Sequence, residues 1–75
     1  MKILKGDAIS SLGNWSYRMF DEDTSKMTFY DNENNEISKP SDFPSDADIN
    51  ARHVDMQTKA DTGSYKSVQE IIATY

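Results

Sequence analysis

Seventy-five residues with 36% apolar, 11% aromatic and 28% charged side chains and a net charge of −5 leave room for one small domain. The absence of cysteine excludes disulfide frameworks, thiol nucleophiles and thiolate zinc sites, and thirteen acids against eight Lys and Arg oppose direct binding to nucleic acid or to an anionic membrane. No apolar run exceeds three residues, too short for a spanning helix or a secretory signal, so the chain reads as a soluble, cytoplasmic and complete gene product.

Met1 to Lys5 reads as a short strand or a frayed start. Asp7 is placed to cap a helix over Ala8–Leu12, which Gly13 would stop. From Trp15 to Phe20, Trp15, Tyr17 and Met19 alternate with Ser16, Arg18 and Phe20, the period of a half-buried strand. A six-residue polar loop, Asp21 to Lys26, leads to a second extended stretch, Met27 to Tyr30, and the pair predicts an antiparallel hairpin. Asp31 to Glu36 makes a second turn, after which Ile37 opens a short third strand.

Residues 38–48 form a loop in which Pro40 and Pro44 bracket an echo, Pro-Ser-Asp-Phe-Pro-Ser-Asp. Residues 49–60 admit two readings. As a helix, capped by Ser45 or Asp46, they place Ile49, His53, Met56 and Ala60 on one face. As a strand, Val54, Met56 and Thr58 alternate with His53, Asp55, Gln57 and Lys59, and this strict alternation favours the strand. Gly63 ends the element. Ser67 and Glu70 have the spacing of a capping box, with Glu70 placed to reach the Ser67 amide, and Val68, Ile71, Ile72 and Tyr75 share one helical face. The fold expected is therefore α+β: one domain over residues 1–75, with a small antiparallel sheet of three to four strands and a short C-terminal helix packed on one face. Its core should draw on Ile3, Trp15, Tyr17, Met19, Phe29, Val54, Met56, Val68, Ile71 and Ile72.

Little in the sequence points to catalysis. His53 is the sole histidine, and with nine serines and thirteen acids its chance neighbours carry no signal for a triad. Asp31-Asn32-Glu33-Asn34-Asn35-Glu36 starts like a calcium loop but has Glu36 where the tight turn needs Gly and Asp42 where a bidentate Glu belongs, leaving at most weak surface binding. The glycines at 6, 13 and 63 are isolated, so there is no phosphate-binding loop. No enzyme activity, cofactor or resident metal is expected.

The charge is unevenly spread: residues 20–50 hold nine acids against Lys26 and Lys39. Asp21, Glu22, Asp23, Asp31, Glu33 and Glu36 sit at the turns of the hairpin region and form the candidate partner-binding set. Phe43, between the prolines, either inserts into a partner or folds back to pin its own loop. Carboxylates on rigid turns can imitate phosphates and occupy a basic cleft. In charge and size alone the chain resembles the small acidic inhibitors that phages deploy against host nucleases and regulators. The leading expectation is a non-catalytic protein-binding accessory or inhibitor acting through the acidic hairpin region; its sharper version mimics nucleic acid and takes a nucleic-acid-binding protein as partner. The alternative is an assembly subunit, self-associating or joining a complex through an aromatic sheet face, because Trp15, Tyr17, Phe20, Phe29 and Tyr30 give the hairpin aromatic residues on both faces.

Overall fold

Extended backbone at Leu4 turns into the first helix, α1 (Lys5–Leu12), in the computed structural model, which describes residues 1–75. The helix starts two residues before Asp7, which therefore caps from inside the first turn: the Leu4 N–H donates to its carboxylate at 2.9 Å. A carboxylate there also complements the positive end of the helix dipole. Gly13 ends the helix as expected, its N–H bonding the Ile9 carbonyl.

Strands β1 (Ser16–Phe20), β2 (Asp23–Tyr30) and β3 (Glu36–Ile37) form an antiparallel sheet in the order β1-β2-β3. The hairpin is tighter than the six-residue loop expected. Asp21 and Glu22 alone make the turn, with φ of 54° and 55°. Two residues with positive φ match the right-handed twist of flanking strands. The extra length is absorbed inside β2: Met19 pairs with Met27 but Phe20 pairs with Asp23, so Thr24, Ser25 and Lys26 bulge. Tyr17 sits opposite Phe29, which puts both rings on the face that also carries Met19 and Met27.

Residues 46–62 are helical, and the expectation of a strand there is overturned. In α2 (Asp46–Thr62), Ser45 caps the first turn by accepting the Asp48 N–H at 3.2 Å, and Asp46 and Asp48 lie where the helix dipole favours acids. Ile49 and Met56, two turns apart, are fully buried, whereas Val54 is 67% exposed and leaves the expected core. The period-2 pattern of Val54, Met56 and Thr58 is overruled because only the helical spacing brings Ile49 and Met56 to the same side. Gly63 terminates α2, and α3 (Val68–Ile72) follows where expected. At its start the Glu70 N–H donates to Ser67 Oγ, while the Glu70 carboxylate accepts from the amide of Lys66, one residue before the expected Ser67.

Helix α1 packs on α2, and α3 contacts both. The molecule is elongated, 40 × 21 × 21 Å. Its buried cluster is Ile3, Ala8, Ile9, Phe29, Phe43, Ile49, Met56 and Ile71. Trp15, Tyr17, Met19, Val68 and Ile72, expected in the core, surround it half-buried. Met1 to Leu4 joins no sheet, and side chains of α2 supply its partners instead. Gln57 accepts the Ile3 N–H at 2.8 Å and donates to the Met1 carbonyl at 2.9 Å, and His53 bonds the Ile3 carbonyl through Nε2 at 2.6 Å. A carbonyl only accepts, so the proton lies on His53 Nε2. No helix is long and apolar enough to cross a membrane.

Candidate functional site

The six candidate acids fall on two turns. In the β1–β2 turn, Asp21 is exposed and Glu22 is partly covered, since its Oε1 accepts the Lys5 N–H at 2.9 Å. That bond fastens the hairpin tip to the N-terminus of α1, where a carboxylate is favoured. Asp23 accepts from both the Oγ (2.6 Å) and the N–H (2.9 Å) of Ser25. These two bonds, the hydroxyl foremost, hold the Asp23 carboxyl below the usual carboxylate range.

The β2–β3 turn is built around Asp31. Its Oδ1 accepts the N–H groups of Glu33 and Asn35, each at 2.9 Å, and its Oδ2 accepts the Asn35 side-chain amide at 3.3 Å. The Asp31 N–H donates to the Asn35 carbonyl, and Asn34 takes φ of 68°, a conformation Asn tolerates. The backbone bond from Asn35 is the main reason that the Asp31 carboxyl titrates below its ordinary value. Glu33 and Glu36 project from this frame and are exposed. A calcium loop needs Asp31 as a free ligand, and here both its oxygens serve the turn. No three ligating side chains converge anywhere in the chain.

The two turns lie at opposite ends of β2 and do not form one cluster. Eight residue steps separate Asp23 from Asp31, about 27 Å at most for an extended strand. Phe43 lies apart from both. It is buried, edge-on to Trp15 (5.2 Å between centroids), Tyr17 (6.5 Å) and Phe29 (4.8 Å), so it pins its own loop and is withdrawn from the partner-binding set. Trp15 Nε1 secures the same loop by donating to Asp42 at 3.2 Å.

Across the molecule the only ion pair is Lys59 to Asp55, 3.8 Å apart on α2. None of the acids of the two turns forms an ion pair, although Lys26 and Lys5 lie near enough for their charges to act on Asp23.

Two features escape sequence reading. The aromatic ring of Tyr75 lies 3.9 Å from both the Arg52 guanidinium and the Lys59 ammonium, and its hydroxyl donates to Asp55. Residues 52, 55 and 59 share a face of α2, a spacing that becomes legible only once α2 is known to be helical. The other is a shallow groove of about 320 Å³ between the N-terminal segment and α2, bounded by Lys2, Ile3, Glu22, His53, Val54 and Gln57. His53, the sole histidine, lies there and is bonded to the Ile3 backbone carbonyl.

Comparison of the chain with protein-family models, with curated proteins and with solved structures finds no match.

Proposed function

We propose that this chain is a non-catalytic protein-binding accessory or inhibitor that engages a basic surface through its two acidic turns. The observation that carries the reading is the contrast between order and charge. Hydrogen bonds within each turn hold Asp23 and Asp31 in place, yet no candidate acid is ion-paired within its own chain, Lys26 and Lys5 lying near Asp23 without pairing with it. Preorganised charge that is not ion-paired favours fast association with an oppositely charged partner and selects against like-charged ones.

The sharper form is mimicry of nucleic acid, with a DNA- or RNA-binding protein as partner. The separation of the two turns spans at most about 27 Å of duplex, which carries roughly sixteen phosphates on its two strands. Six carboxylates in two groups match two phosphate clusters rather than a continuous backbone, which favours a partner with two separated basic patches. The assembly reading has less support, because Phe43 already fills the face formed by Trp15, Tyr17 and Phe29.

The test is capture of partners by the tagged protein from a bacterial lysate, washed at low and high salt and challenged with duplex DNA. A partner lost at high salt and displaced by DNA supports the reading. A salt-resistant partner, or self-association alone by light scattering, rejects it.

A further inference from the structure

We infer that residues 64–75 form a lid, hinged after Gly63 and clasped by Tyr75, which lifts α3 off α1 and α2 while the rest of the fold stays closed. The hydrogen bonding of this segment carries the inference. The Lys66 and Glu70 N–H groups donate to Glu70 and Ser67 side chains, the Ala73 N–H to the Gln69 carbonyl, the Thr74 N–H and hydroxyl to the Ile71 carbonyl, and the Tyr75 N–H to the Ile72 carbonyl. None of its backbone groups bonds to the body of the molecule. Only two side chains do, both at the far end: Lys59 Nζ donates to Thr74 Oγ1 at 2.8 Å, and the Tyr75 hydroxyl donates to Asp55. A five-residue helix has no stability of its own, so opening also melts α3.

A plug and a clasp hold the lid shut. The plug is Ile71, the one fully buried residue of the segment, which joins the cluster containing Ile9, Ile49 and Met56. The clasp is Tyr75. Arg52 and Lys59, about two turns apart on α2, each lie 3.9 Å from its ring, and Asp55 between them receives its hydroxyl. The receptor is fixed without Tyr75: Arg52 also donates to the carbonyl and hydroxyl of Ser11 at 3.2 and 2.9 Å, and Lys59 pairs with Asp55. Tyr75 stays exposed, where contacts between a cation and a ring are weak, so the clasp can release. The last bond of α2, from the Gly63 N–H to the Lys59 carbonyl at 2.8 Å, marks where the body ends, and Ser64 beyond it is exposed. Opening uncovers the apolar seat of Ile71 together with the ring-facing sides of Arg52 and Lys59, the two basic residues of α2 other than His53. The device is independent of the acidic turns.

Amide hydrogen exchange of the full chain, followed by NMR at increasing urea, tests it. The amides of Ile71, Ile72 and Ala73 should share one protection, exchange about tenfold faster than that of Met56 in α2, and depend less steeply on urea. Tyr75→Ala should speed all three by about tenfold, because it weakens the closed lid. Phe43→Leu, which loosens the sheet face that the lid leaves in place, should speed the α2 amides and leave these three unmoved. Graded protection, lowest at Ala73, with Tyr75→Ala acting only there, would mean end fraying and overturn the lid. Urea dependence equal to that of α2, or acceleration of the three by Phe43→Leu, would overturn it by making α3 part of one cooperative unit. An unchanged rate in Tyr75→Ala would overturn the clasp.

Discussion

The ring of Phe43 meets that of Phe29 edge-on, with centroids 4.8 Å apart and planes inclined at 74°. One residue comes from a proline-bounded loop and the other from the central strand, so the contact ties residues 38–45 to the sheet. Phe43→Ala should cost about 3–5 kcal/mol, a large share of the roughly 5 kcal/mol typical of marginal domains. Chemical denaturation measures the loss. Trp15, the single tryptophan, lies 5.2 Å from the Phe43 ring and gives a local fluorescence reading of the same event. An unchanged midpoint would mean that the loop is not part of the folded unit.

Ile71 and Val54 form a matched contrast. Ile71 is fully buried, whereas Val54 is 67% exposed on the outer side of α2. Ile71→Ala should destabilise by about 2–5 kcal/mol, and Val54→Ala should stay within about 0.5 kcal/mol. Thermal unfolding of the two variants decides it. Equal losses would mean that residues 49–60 are not helical.

The same pair shows what the sequence could and could not disclose. The hairpin was legible because the aromatic residues from Trp15 to Tyr30 repeat at the strand period, and α3 because Ser67 and Glu70 mark its start. Residues 49–60 carried two periods at once. Ile49, His53, Met56 and Ala60 fit a helix, while Val54, Met56 and Thr58 fit a strand, and local pattern cannot rank them. Burial ranks them, since Ile49 and Met56 reach the cluster with Ile3 and Ile9 only from a helix. The acidic turns were legible as turns. Their separation was not, because it depends on β2 continuing back through a polar bulge to Asp23.

Tyr75 should be among the last tyrosines to ionise. Burial, then the bond to Asp55 and the charge of that carboxylate, push its hydroxyl up to about 12, against the attraction of Arg52. Tyr17 is raised as well, chiefly by burial and then by Asp7. A folded-state value above the unfolded one means that the contribution is complete below about pH 10 and is lost as pH rises towards 12. Tyr75→Phe removes the ionisable group, so the variant should lose less stability than the parent across that window. Ultraviolet titration of parent and variant checks the assignment. If the late-titrating signal persisted undiminished in Tyr75→Phe, the contact with Asp55 would not be the cause.

Both acidic turns should contribute to the same binding event. Asp21, Glu33 and Glu36 have carboxylates that no hydrogen bond of the fold engages, whereas Glu22, Asp23 and Asp31 hold their turns together. Asp21→Asn suits the positive φ at that position, and Glu33→Gln with Glu36→Gln leaves the Asp31 frame intact. Each set should weaken binding to a captured basic partner and flatten its dependence on salt, with little effect on stability. Because the turns lie at opposite ends of the hairpin, farther apart than the ~10 Å within which substitutions couple, the two losses should add. Titration of the partner against the three variants at several salt concentrations measures this. If one set had no effect, the two-patch geometry would fail and binding would belong to a single turn.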